Sequence, residues 1–518
     1  MNKTVKKVII AVLVVALIAG IATGGYFGGK KIYENSRDTS TCDLTINIEE
    51  TLTKQDFYGW GTSNCWWADD ISDPQTREEI ADLLFSEEGL NLDTFRYCIY
   101  GGYDEENNLV ANPWRLGESF LVYDEATGEY VYDWSRDANS WAMLQEALER
   151  GVTNVVLFAN SPHYSMTVNG RSSGNNHNNG YNSNINGSHN DEFVDYLLTV
   201  TQHFIDEGVP VTYLSPINEP QWNWGSYPSQ EGCHYEQVEA VGLFAALAEE
   251  IIDRNLDIKL CGLESGEIGD TTKNYYTALM ENPEIAQVMG IYSYHSYWSD
   301  NNLPNKIQFG QWLAENCTLP VEMSEWCELP NTHDSTSAQG ACIMARVIAN
   351  AINHTGVNAW SNWVAMNQIG INQDDGLDYS DGLLIADPEN TTDYYQSIRY
   401  FAYKQFSHFV PAGSKVLACD DGVDTQTAFV ANEGTPQEET IYNELVNQVA
   451  FITPDGKIVV VVVNEGPARN MTINVGEYNS VEVFTTDSQN RCQSTFNGES
   501  IDDYQLGEYS INTFVFSK

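Results

Sequence analysis

Val211-Thr212-Tyr213-Leu214-Ser215-Pro216-Ile217-Asn218-Glu219-Pro220 begins as a short apolar run and ends abruptly in polar residues and prolines. Val211, Tyr213 and Leu214 read as a buried strand. Pro216 and Pro220 stop both a helix and further sheet pairing. Asn218 and Glu219 are therefore presented at a strand's carboxyl end, where barrel enzymes keep their chemistry. A second stretch, Leu319-Pro320-Val321-Glu322-Met323-Ser324-Glu325-Trp326, has the same form and also ends on a carboxylate. Two strand-end glutamates on one scaffold are what acid and nucleophile work on a glycosidic bond requires.

Working outward from these stretches, short strands alternate with helical patterns from about residue 55 to 406, the signature of a parallel α/β architecture. Eight strands are predicted, near 57–61, 92–100, 154–159, 211–215, 259–263, 290–294, 320–324 and 358–364. Between them, Ser72-Asp73-Pro74 supplies a helix cap with proline in the first turn. Phe193, Leu197, Val200 and Phe204 recur at helical spacing, as do Leu243, Ala246, Leu247 and Ile251. Eight such units predict a (β/α)₈ TIM barrel. A doubly wound open sheet is the second choice, and no GxGxxG fingerprint supports it. Residues 168–190, rich in Asn, Gly and Ser, are too long for a plain connector. They read equally as a mobile surface loop or as a cleft wall whose amides bond hydroxyls.

After Phe406 the pattern changes to strands and turns, with Pro454-Asp455-Gly456 closing a hairpin. Residues 407–518, together with a strand from 42–54 in which Leu44, Ile46 and Ile48 alternate, predict an all-β sandwich side domain. Ahead of both domains, Lys3, Lys6 and Lys7 precede an uncharged run that ends at Gly29. Residues 1–35 thus read as a signal peptide or an N-terminal membrane anchor, which places the remainder outside the cell.

The balance of 25 basic against 73 acidic residues gives a formal charge of -48, which argues against nucleic acid as a partner. No pair among the ten cysteines has CxxC spacing, and no structural zinc site is expected. Cys98 and Cys261 lie in apolar runs and read as small buried thiols, whereas Cys419 and Cys492 are a candidate disulfide. Asp374 and Asp375 read as a solvated loop, because no full calcium ligand series follows them. Trp66, Trp67, Trp224 and Trp363 are candidate platforms for sugar rings, with core packing the competing explanation.

Several of these stretches together resemble glycoside hydrolase family 30 of clan A. They are Gly59-Trp60-Gly61-Thr62-Ser63, Trp66-Trp67-Ala68, Phe95-Arg96-Tyr97, Ala159-Asn160-Ser161-Pro162, Ser215 through Trp222, His295-Ser296-Tyr297 and Ser324-Glu325-Trp326. Gln405-Phe406-Ser407-His408-Phe409 and Pro411-Ala412-Gly413-Ser414 resemble the family's junction between barrel and sandwich. His163 departs from the proline usual at its position. The resemblance implies a retaining mechanism with Glu325 as nucleophile and Glu219 as acid/base. It implies that Asn218 bonds the sugar 2-hydroxyl, that Arg96 bonds the nucleophile, and that His295 and Tyr297 orient it. Asn160, Trp66, Trp224 and Trp363 complete the expected substrate-binding set, with no metal and no cofactor. Within the family the motifs look most like the endo-β-1,6-galactanase group. The expected substrate is a polysaccharide, met by a monomer that touches a membrane only through its N-terminal segment. A β-1,6-glucanase or a xylanase/glucuronoxylanase remains open as an alternative, as does a non-catalytic carbohydrate-binding protein or a surface adhesin.

Overall fold

The computed structural model describes residues 44–518, apart from 109, 111, 176–182, 226, 227, 301, 330, 331, 388, 420–425 and 432–438. The leader expected at residues 1–35 lies outside the described residues, as does Cys42. Among the described residues, no helix is long and apolar enough to cross a membrane.

Eight parallel strands close into the expected barrel: β1 (Gly59–Ser63), β2 (Thr94–Cys98), β3 (Asn154–Phe158), β4 (Val211–Ser215), β5 (Lys259–Ser265), β6 (Met289–His295), β7 (Val321–Glu325) and β8 (Ala359–Val364). They follow one another around the ring in chain order, and β8 pairs back onto β1. Side chains alternate across each strand, so each one divides its residues between two environments. On β2, Phe95 and Tyr97 face the helices, with ring centroids 5.7 Å from Phe85 and 4.8 Å from Phe204. On β6, Tyr292 and Tyr294 do the same against Tyr276 and Phe309, at 4.7 and 5.1 Å. The alternate residues, among them Arg96, Ser293 and His295, turn inward and bond one another across the barrel. Small residues leave them room. A Cβ on Gly61 would fall 2.5 Å from the Ser361 hydroxyl, so β1 can offer only glycine at that level.

The helices form where capping and apolar spacing predict them. Helix Pro74–Phe85 is capped by Asp73, whose carboxylate accepts from Thr76 N–H at 2.8 Å. Phe193, Leu197, Val200 and Phe204 are all buried along helix Asn190–Asp206.

The sandwich is joined to the barrel through both ends of the described chain. Strand Leu44–Asp56 runs parallel to Arg469–Asn474 over its first part and antiparallel to Lys415–Cys419 from Ile48 onward, so it joins the strands on either side into one nine-stranded sheet. Strand Ile458–Asn464 reads Ile-Val-Val-Val-Val-Val-Asn without alternation because both of its faces are buried. Val460 and Val462 enter the sandwich core, whereas Val459, Val461 and Val463 pack into the barrel's core. Each such valine contributes about 1.5–3 kcal/mol. An ion pair crosses the same junction, with Arg346 Nε 2.8 Å from Glu465 Oε2. Cys492 carries a free thiol, so the expected bridge to Cys419 does not form.

Candidate active site

Glu219 stands in the turn after β4, Glu264 lies within β5 and Glu325 closes β7. The prolines around Glu219 end the strand, and its amide donates to the Glu264 carbonyl at 2.9 Å. Glu219 and Glu264 have φ of 46° and 53°, a left-handed region that side chains other than glycine rarely adopt. Such backbone persists only where the surroundings over-determine it. A carboxylate oxygen of Glu219, a ring nitrogen of His295 and a carboxylate oxygen of Glu325 all lie within 4.8 Å of one another.

His295, at the end of β6, connects all three acids. Its Nδ1 is 3.1 Å from Glu219 Oε1, and its Nε2 is 2.9 Å from Glu264 Oε2 and 3.6 Å from Glu325 Oε2. Burial opposes its protonation, but Glu325, Glu219 and Glu264 together raise it to about 10, so the ring is an imidazolium at neutral pH. With both nitrogens donating to carboxylates, it has no lone pair for a cation. Arg96 donates to Glu264 Oε1 and to the Ser63 hydroxyl, each at 2.9 Å, and stands 3.9 Å from Glu325 Oε2. Tyr297 donates to Glu325 Oε1 at 3.0 Å.

Glu264 and Glu325 respond differently to the same burial. Burial disfavours charge on Glu264, but Arg96 and His295 hold it down to about 2, and Ser324 donates to it as well. Burial pushes Glu325 up to about 7, with Glu219 adding repulsion and His295 and Arg96 opposing. Glu264 is thus a permanent anion, whereas Glu325 takes up a proton near neutral pH. Below them, burial pushes Glu322 up to about 7, and the Ser293 hydroxyl bonds its carboxyl.

The other expected residues divide between the cleft and its supports. Asn218 is buried beside Glu219, and its Oδ1 has no hydrogen-bond partner. Asn160 lies behind the pair, with its Nδ2 3.8 Å from the sulfurs of Cys65 and Cys98. Trp66 and Trp363 pack edge to face at 5.8 Å and are almost fully buried, so they line a wall and expose no broad ring face. Trp67 belongs to the core, and its indole donates to the Ser63 carbonyl. Trp224 is half-buried on the loop after β4. The described asparagines of 168–190 serve as braces. Asn169 and Asn184 bond each other, and Asn184 also holds the Arg171 carbonyl.

Two participants were not among the expected set. Glu264 follows the apolar run Leu260–Leu263 just as Glu219 and Glu325 follow theirs, so the same strand-end signal marks it. Arg115 lies over Trp66 and Trp114, 5.2 and 4.9 Å from their ring centroids, and extends the wall. Nothing in its local sequence signals that position.

Residues 43–384 match the family model described as O-Glycosyl hydrolase family 30, and residues 436–514 match its beta sandwich domain. An endo-beta-1,6-galactanase from Hypocrea rufa is 23% identical over 462 residues, covering 84% of this chain and 84% of that protein. An exo-beta-1,6-galactobiohydrolase from Bifidobacterium longum is also 23% identical, covering 74% of this chain and 34% of that longer protein. The crystal structure of a conserved exported protein from Bacteroides fragilis has the same fold, with a TM-score of 0.75 at 21% identity over 91% of this chain and 100% of that one.

Proposed function

The chain belongs to O-glycosyl hydrolase family 30, and on that premise we propose that it is a retaining, endo-acting hydrolase of β-1,6-galactan. The observation that carries the mechanism is the closeness of Glu219 and Glu325, whose oxygens lie within 4.8 Å. Inversion needs room for a water between the carboxyls, about 6.5–9.5 Å, whereas double displacement works at about 5 Å. Glu325 faces three donors, Arg96, His295 and Tyr297, while Glu219 faces His295 alone. Three donors are thus placed to stabilise a carboxylate at Glu325, which makes it the nucleophile and Glu219 the acid.

In the first step a Glu325 oxygen bonds the anomeric carbon, and the bond from that carbon to the bridging oxygen breaks. The bridging oxygen takes the Glu219 proton. Formation of the ester removes the charge on Glu325, which leaves Glu219 ionised to take a proton from water. That water attacks the anomeric carbon, and the Glu325 carboxylate departs. Arg96, Tyr297 and His295 hold the nucleophile in place and stabilise the charge that returns to it. Asn218, beside the acid with an unbonded Oδ1, is placed to meet a hydroxyl of the reacting sugar.

The substrate assignment draws support from the two relatives named for β-1,6-galactan chemistry. A polymer of that kind is met outside the cell, which agrees with the reading of residues 1–35 as an export signal or anchor. Product analysis on β-1,6-galactan, β-1,6-glucan and glucuronoxylan tests the assignment. The expected result is oligosaccharides from the galactan alone, released with β configuration. Activity confined to either other polymer rejects the substrate, and release of the α anomer rejects the mechanism.

A further inference from the structure

Ile291 to Asp300 run up β6 and into the loop beyond it, and nine of these ten residues are buried. The exception is Trp298, with 58% of its surface in water. Its backbone has φ of 64°, again the left-handed region that disfavours a bulky residue. The loop itself is firmly held. The Ser299 hydroxyl lies 3.1 and 3.2 Å from the carbonyls of Ser296 and Tyr297 and accepts from the Ile268 amide at 3.2 Å. A rigid loop thus keeps the largest apolar side chain in water on an unfavourable backbone. A strained, exposed ring of this kind points to contact with something outside the chain.

A second observation concerns the neighbouring loops after β4 and β5. Both amide atoms of Gln221 are buried, and neither has a hydrogen-bond partner. An amide left so is costly unless a partner arrives. Gly266 lets side chains close in on the backbone there, with Trp222 Nε1 only 2.4 Å from where a Cβ would be. A Cβ there would stand 2.7 Å from Glu219 Oε1 and 2.9 Å from Gln221 Nε2. Ile268, two residues further along, is the residue that anchors the Trp298 loop. Glu219 and Gln221 therefore meet at the loop after β5, and the same loop is bonded through Ile268 to the loop that carries Trp298.

We infer that Trp298 and Gln221 form the subsite for the departing sugar, with the indole stacked on the apolar face of a neutral pyranose ring and the amide bonding its hydroxyls. This rests on Glu219 being the acid. The acid protonates the bridging oxygen, so the leaving group lies on its side of the cleft, over the loops after β4, β5 and β6. The wall of Trp66, Trp114 and Arg115 on the far side then holds the sugar that becomes attached to Glu325.

The test compares two substrates with the same glycone, β-1,6-galactotetraose and β-galactobiosyl fluoride. Only the first has a leaving group that reaches Trp298. In Trp298→Ala and in Gln221→Ala, the ratio of kcat/KM for tetraose over fluoride falls about tenfold or more from its wild-type value, and Trp298→Phe recovers part of it. A ratio held within about twofold of wild type in both alanine variants overturns the subsite, whether activity falls on both substrates or on neither. A wild-type protein that turns over neither substrate overturns the galactan reading on which the subsite rests.

Discussion

Glu325 and Glu328 are three residues apart and equally buried, at 4% and 5% exposure, yet they lead opposite lives. Glu328 Oε2 accepts from Arg399, and its Oε1 accepts from Thr332 at 3.1 Å and meets the His333 ring. Burial alone would raise it, but His333 and Arg399 bring it below the usual carboxylate range. Glu325 has the same burial and a poorer set of partners. Arg96 is 3.9 Å away and spends its short bonds on Glu264 and Ser63, and Glu325 Oε2 has no hydrogen bond at all. Its carboxyl rises to about 7. Around Glu328 two bases serve one acid, whereas at the barrel mouth three acids share two. A matched buried charge holds the fold, and a surplus one is available for chemistry.

The largest effect expected from that contrast comes from making the same substitution at both sites. Glu325→Gln should lower kcat by about 10⁴-fold or more with the fold intact by circular dichroism. Glu328→Gln should retain turnover per folded molecule but lose about 3–5 kcal/mol of stability in urea titration, because Arg399 is left buried without its anion. Exchanged outcomes would break the comparison.

Glu264 tests the surplus from inside the cluster. Glu264→Gln should lower kcat about 100-fold, since it orients both Arg96 and His295. It should also change the pH profile in a defined direction. On the proposed mechanism activity needs Glu325 ionised, so kcat/KM in wild type should rise with pH through about 7. Glu264 is one of the charges that raise Glu325, and its loss also frees Arg96 to approach. The acid limb should therefore move to lower pH. A limb that stays in place or moves up would mean that Glu264 does not govern the nucleophile.

Much of this was legible before any coordinates. Eight strands, their order and the two opposed glutamates follow from short apolar runs broken by proline or closed by a carboxylate, because alternation and burial act locally. Glu264 carried the same strand-end signal, but the sequence does not say which acids share a pocket. Trp298 looks like any other aromatic in a polar loop. Its exposure depends on Ile268 and Ser299, which belong to different loops and meet only in the fold. The Cys419–Cys492 expectation failed for a related reason. Membership of one domain constrains distance loosely, while a disulfide needs Cα atoms within about 7 Å and suitably aimed. Strand Leu44–Asp56 pairs within the sandwich as its alternation predicts, but its parallel and antiparallel partners and the register shifts after Glu49 and Thr53 are encoded by no local pattern.

The smallest effect is the most discriminating, because it reverses sign between the two sites. A carboxyl raised in the folded state contributes stability that is complete below its unfolded value, near 4.5, and is lost as pH rises through its folded value, here about 7. Above pH 7 ionised Glu325 therefore opposes folding, by up to about 3 kcal/mol from the shift alone. Glu325→Gln removes the charge and keeps the shape. Its Tm should exceed wild type by a few degrees at pH 8, and the gain should vanish near pH 5, where wild type is already protonated. Glu328, lowered in the folded state, has the opposite linkage: its contribution is present above 4.5 and is lost as the solution becomes more acid. Glu328→Gln should accordingly lower Tm at both pH 8 and pH 5. Scanning fluorimetry of the two variants at the two pH values gives four numbers, of which three are set by partner count and only one, Glu325→Gln at pH 8, lies above wild type. A loss of Tm there would mean that the acids at the barrel mouth are as well matched as Glu328, and that strain in this charge cluster is not what keeps Glu325 reactive.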